Sequence, residues 1–277
     1  MIIGIVGLGL IGGSLCKAIK SKTKHTVYGF DIDQSINSYA VLDKSIDAIL
    51  NKQNLSDCDY VLLSVYPKAT IDYLEENASF IKDGAVVIDC GGVKRSICEQ
   101  CFNIASKRNF AFIGGHPMAG LHQSGFKYSK ADLFLGASMI LTPQNTDDIS
   151  LLQKVTEFIK SIGFASVTAT TPENHDRIIA FTSQLAHVVS NAYVKSPQAQ
   201  VHKGFSAGSY KDLTRVAKLN ENMWTELFLL NKDNLLFEID CIINSLSEYK
   251  EALQNDDAET LKALLKDGSD RKKAIDN

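Results

Sequence analysis

A chain of 277 residues, 45% hydrophobic and 22% charged, holds enough apolar material for two modest cores and lies in the ordinary globular range. Its formal net charge of −3, with both signs interspersed, argues against a basic face for nucleic acid, and no run reaches the roughly 20 apolar residues of a membrane span. The six cysteines lie scattered, mostly in apolar segments, and read as reduced thiols of a cytoplasmic protein, with Cys98 and Cys101 on one side of a helix.

The opening stretch MIIGIVGLGLIGG lacks a basic leader and is punctuated by glycines, which predicts a strand and a tight turn instead of a secretion signal. Apolar, β-branched runs predict strands at Ile2–Val6, Thr26–Phe30, Tyr60–Val65, Ala85–Asp89, Phe110–Ile113, Ser138–Leu141 and Ala165–Thr168. Several are apolar throughout, as strands covered on both faces of a parallel sheet are. Helical patterns at Ser14–Lys20, Ala69–Phe80, Lys94–Lys107 and Ile149–Ile162 fall between most of them. The alternation predicts a doubly wound α/β domain over residues 1–170. At Thr171 the character changes. T-P-E-N supplies a cap, a proline at the first helical position and an acidic first turn. Ile178, Phe181, Leu185, Val188 and Ala192 follow at spacings of three and four, and long helices are expected over Glu221–Gln254 and Asp257–Ala274. Residues 171–277 therefore read as an all-α domain, apolar enough to pack against a second copy in a homodimer.

Gly7-Leu8-Gly9-Leu10-Ile11-Gly12 is a GxGxxG turn placed directly between a predicted strand and a predicted helix. In that setting the first glycine permits the turn, the second admits a pyrophosphate, and the third lets helix and strand pack closely. Asp31, at the end of the second strand, would accept from ribose hydroxyls and repel a 2′-phosphate, favouring NAD over NADP. The first domain is thus Rossmann-type. Asp33 reads as a helix cap, while Ser64, Val65 and Gly91, at later strand ends, are candidates to line the nicotinamide side.

FIGGHPMAGLHQSGF reads as a turn after a strand, with His116 made extended and immobile by Pro117. Such a histidine is either a base for a hydroxyl proton or a turn residue bonded to backbone. Ser183 and His187 are four apart on one helix face, and Asp176, Ala180 and Asn191 extend that stripe, which is either a wet cleft or a solvated surface. Arg215, in GSYKDLTRVAKLN, suits bidentate capture of a carboxylate or a surface ion pair.

Taken in order, GLGLIGG, GGHPMAG, TPENHD, TSQLAH, DLTRVA and the following MW resemble the prephenate dehydrogenase family of tyrosine biosynthesis over nearly the whole chain. The resemblance implies NAD-dependent oxidative decarboxylation of prephenate to 4-hydroxyphenylpyruvate. It makes His116 the base on the ring hydroxyl, Arg215 the anchor of a substrate carboxylate, and Ser183 and His187 pocket residues. Two departures stand out. Many relatives place a serine that orients the catalytic histidine where this chain has Gly92, so Ser124 or water would have to replace it. Many also carry a glutamate where this chain has His122, which leaves prephenate and arogenate both open. The G-x-x-x-N-K context of β-hydroxyacid dehydrogenases is missing; a non-catalytic NAD sensor is the remaining alternative, to be separated by whether the four polar side chains converge.

Overall fold

The computed structural model describes residues 1–121 and 123–276. It opens with β1 (Ile2–Val6), α1 (Leu10–Lys22), β2 (Thr26–Phe30), α2 (Gln34–Leu42), β3 (Ala48–Ile49) and α3 (Lys52–Leu55). There follow β4 (Tyr60–Leu63), α4 (Pro67–Asn77), β5 (Val86–Asp89), α5 (Arg95–Ala105) and β6 (Ala111–Pro117). β7 (Ser138–Pro143), α6 (Ile149–Ser161) and β8 (Ser166–Ala169) complete an eight-stranded sheet of order β3-β2-β1-β4-β5-β6-β7-β8. Alternate side chains go to opposite faces. Tyr60 and Leu62 join Ile3, Ile5, Leu15, Ile19 and Phe158 beneath α1 and α6, while Val61 and Leu63 join Ile71, Leu74, Ile97 and Phe112 beneath α4 and α5. The doubly wound architecture follows from these two apolar layers.

The sheet is parallel except between β6 and β7. Residues 118–137 form no α-helix among those described, and strands joined without a crossover helix pair antiparallel. β6 also runs past its expected end at Ile113. Gly114 to Pro117 are strand residues paired with Thr142 to Met139 of β7, so His116 is a ladder residue opposite Ile140 and not a turn residue. The two glycines serve close approach here. A Cβ on Gly114 would fall 2.1 Å from Thr142 Oγ1, and one on Gly115 2.5 Å from Asp89 O.

In the helical part, Thr171 Oγ1 accepts from Asn174 N and opens α7 (Pro172–Ile179), which continues through a π-helical stretch, Ala180–Leu185, into α8 (Ala186–Tyr193). α9 (Gly208–Thr214), α10 (Glu221–Leu230), α11 (Lys232–Gln254) and α12 (Ala258–Asp276) follow. The long helix expected over Glu221–Gln254 is broken at Asn231. This buried amide leaves helical geometry (φ −123°, ψ 28°) and donates to both Asp176 O and Gln184 Oε1 at 2.8 Å. Among the described residues no helix is long and apolar enough to cross a membrane, and no cluster of three or more His, Cys, Asp or Glu could hold a metal. Cys98 and Cys101 are buried free thiols on α5, both pushed up mainly by burial.

Candidate active site

Because β1, β2, β4, β5 and β6 run parallel, their carboxyl ends share one edge. Sheet order arranges Asp31, Gly7, Ser64, Gly91 and His116 along it in that sequence. Four strand steps of about 4.8 Å separate β2 from β6, roughly 19 Å in all, a reach that suits an extended ligand better than a compact one.

The glycine turn is built for close approach. Gly7 has φ +84°, and a side chain there would meet Val65 Cγ1 at 2.5 Å and Ser64 O at 2.6 Å. A Cβ on Gly12 would fall 1.8 Å from Gly7 O, whereas one on Gly9 would meet nothing within 4 Å, so open space faces the middle of the turn. α1 starts at Leu10 and Ile11 with no side-chain cap and no acidic residue in its first turn, which leaves its amide dipoles for an anion. Asp31 is fixed in place: Oδ2 accepts from Leu8 N at 2.8 Å and Oδ1 from Asp33 N at 3.0 Å. Asp33 caps α2, as its position predicts. The Ser64 hydroxyl is buried without a hydrogen-bond partner, an orphan donor at the edge. Gly91 N donates to Asp89 Oδ2 at 2.9 Å. These features fit a dinucleotide: glycines where backbone must be approached, uncapped helix amides, and a carboxylate at the second strand's end.

At the far end of the edge lies a buried polar assembly. His116 Nδ1 is 2.9 Å from His175 Nε2, and His175 Nδ1 is 2.7 Å from Asp176 Oδ1. Asp176 also accepts from Lys94 N at 2.7 Å and Arg95 N at 2.9 Å, so it caps α5 from α7. Beside it Asp89 and Lys94 form an ion pair with both side chains fully buried, and Asp89 Oδ1 accepts from Gly115 N at 3.1 Å. Burial, then the neighbouring His175 and Lys94, hold the His116 imidazole well below its usual range. His175 is lowered chiefly by burial, against the opposing pull of Asp176. His116 itself is partly exposed, with its Nδ1 edge turned inward.

Ser183 lies in the π-helical stretch and its carbonyl accepts from His187 Nδ1 at 2.8 Å; the His187 ring packs on Trp224, centroids 4.0 Å apart. The expected polar stripe is not continuous. Asp176 and Ala180 are buried whereas Ser183, His187 and Asn191 are half-buried, since the wide π turn shifts the face on which the later residues lie, and Asp176 serves α5 instead of a wet cleft. Asn191 Nδ2 reaches Ala217 O at 3.0 Å and so ties α8 to the segment carrying Arg215. Arg215 is exposed, and no hydrogen bond or ion pair among the described residues joins it to His116 or Ser183. Ser124 lines a cavity with Ser35, Tyr39 and Lys127 against α2, while His116 Nδ1 faces His175. His122 lies outside the described residues. The sequence alone assigns no role to His175 or Lys94. The available signal for His175 was its spacing of four from buried Ile179, which puts a titratable group on the apolar face of α7.

Sheet, glycine turn and terminal carboxylate define a dinucleotide-binding α/β domain joined to a helical one. Residues 15–168 match the model of the prephenate dehydrogenase nucleotide-binding domain, and residues 171–267 that of the prephenate dehydrogenase dimerization domain. A prephenate dehydrogenase of Bacillus subtilis is 30% identical, the alignment covering 96% of this chain and 74% of that protein. The crystal structure of the Aquifex aeolicus enzyme with hydroxyphenyl propionate and NAD+ superposes with TM-score 0.87 at 31% identity, over 99% of this chain and 98% of that one. The Synechocystis arogenate dehydrogenase gives 0.83 at 26%, over 99% and 100%. The chain belongs to the prephenate dehydrogenase family.

Proposed function

We propose that the protein oxidatively decarboxylates prephenate to 4-hydroxyphenylpyruvate with NAD as cofactor. The observation that carries this reading is the single edge running from a fixed Asp31 to a neutral, inward-anchored His116. Gly7, Gly9, Leu10, Ile11 and Gly12 would hold the pyrophosphate, Asp31 the adenosine ribose, and Ser64, Val65 and Gly91 the nicotinamide side. When bound, the nicotinamide supplies the hydride acceptor. His116 would take the ring hydroxyl proton, a role suited to an imidazole kept uncharged by burial. Arg215 would bind a substrate carboxylate, with Ser183 and His187 lining the pocket. Similarity to the Synechocystis enzyme supports arogenate as a second reading.

The division into a nucleotide domain (1–170) and a helical domain (171–277), a cytoplasmic setting and a homodimer belong to the same proposal. The exposed Leu236, Ile243, Leu246 and Leu253 recur along α11 at spacings of seven and three, a stripe that a second copy would cover. Steady-state assays with prephenate and arogenate, each with NAD and NADP, test the reaction. Turnover is expected with NAD and prephenate; no reduction of either cofactor with either substrate would sink the proposal. Light scattering tests the dimer.

A further inference from the structure

We propose that His175, held by Asp176, is the positioning residue for His116 and fixes its tautomer so that Nε2 is the basic nitrogen. The proposal rests on His116 being the base. The assignment follows from what each atom can do. A carboxylate only accepts, so at 2.7 Å from Asp176 Oδ1 the proton lies on His175 Nδ1. A neutral His175 then presents Nε2 as an acceptor. At 2.9 Å the facing His116 Nδ1 must donate, which leaves His116 Nε2 unprotonated at the partly exposed edge. Each link in the chain has one consistent direction.

The surroundings keep that direction. His175 is 1% exposed, so water does not compete for its nitrogens. Three groups besides Asp176 face the pair: Asp89 from β5, Lys94 from the loop before α5, and Arg95 at the start of α5. Lys94 adds positive charge that disfavours a protonated His175, while Asp176 disperses its own charge over the Lys94 and Arg95 amides. The carboxylate is therefore set by the sheet part and the imidazole by the helical part, and the base is oriented where they meet.

Gly92 gives this chain a particular need for such a partner. A Cβ there would stand 3.5 Å from Leu227, ordinary contact distance, so a side chain would fit where none is present. The imidazole of His175 occupies the Nδ1 side of His116 instead.

The test uses the full-length protein and reads His116 without substrate. In ¹⁵N-labelled protein near neutral pH, with the resonance assigned through His116→Asn, Nδ1 is expected to carry the proton and Nε2 none. His175→Leu keeps bulk and removes the acceptor. It should restore the Nε2–H form that histidine favours in water and lower kcat roughly 10- to 100-fold, with the KM for prephenate changed less than about threefold. His175→Gln can accept from His116 through Oε1 and donate to Asp176 through its amide, so it should keep kcat within about fivefold of the native value. A native His116 protonated at Nε2, or His175→Leu turning over within about threefold of native, overturns the proposal. If the Leu variant does not fold, the native tautomer and the Gln variant decide. Absence of prephenate turnover in the native protein would refute the reaction and leave the tautomer result standing.

Discussion

The sheet edge and the helical part hold their polar groups in opposite ways. At the edge, Asp31 is bound by Leu8 and Asp33 amides, and His116 leans on a buried His175–Asp176 pair. In the helical part, Arg215 is exposed, and apolar side chains such as Phe181, Leu236 and Phe237 are more than half exposed in the single chain. One region is preorganised by its own fold. The other is left with surfaces that a substrate or a second subunit would complete. The chemistry of the proposed base is thus built in, whereas recognition of the substrate's charge depends on what arrives.

The contrast can be broken in four places. His116→Asn removes the base from the preorganised region and should reduce kcat about 10²–10⁴-fold with NAD affinity retained, read by stopped-flow and by titration of cofactor fluorescence. Near-native turnover would show that the edge does not carry the proton transfer. Arg215→Ala should act on binding, because a charge-assisted hydrogen bond contributes about 1.5–3 kcal/mol, which corresponds to a rise in prephenate KM of roughly 10- to 100-fold. An unmoved KM would remove Arg215 from the site. Asp31→Asn should raise the KM for NAD about tenfold, the lower end of the same range, and narrow the preference over NADP.

The smallest effect is one of acidity. Both His116 and His175 are lowered in the folded protein, so below about 6.5 the unfolded chain binds more protons than the native one. Stability then rises with pH across that window and falls on acidification. Melting temperatures measured from neutral pH downward should drop below about pH 6.5, and His175→Gln should shallow the drop. A melting curve flat across that window would show that neither imidazole resists its proton.

Different parts of the molecule were legible to different degrees. The glycine turn and the position of Asp31 were readable because their geometry is local: a turn's φ and the residue that follows a strand are fixed within a few positions. The Thr171 cap and Asp33 cap were readable for the same reason. His116 was singled out correctly as extended, yet its place in a ladder was not visible, since Gly114 and Gly115 suggest a turn until β7 is seen to need their bareness. The break at Asn231 was hidden too. Helical periodicity runs through it, and only partners on Asp176 and Gln184 make a non-helical amide favourable there.

By itself the sequence determined short, largely continuous apolar runs alternating with patterns of period near 3.6, and from them a doubly wound domain followed by helices. It also determined the chemistry available at each strand end. What only tertiary structure decided is which groups meet. His116 and His175 are 59 positions apart in sequence, with β7, α6 and β8 between them, and no spacing rule links them; burial brings them to 2.9 Å because an imidazole, a carboxylate and two helix-end amides satisfy one another away from water. Local rules write the elements. The pairing of buried polar groups belongs to the packed whole.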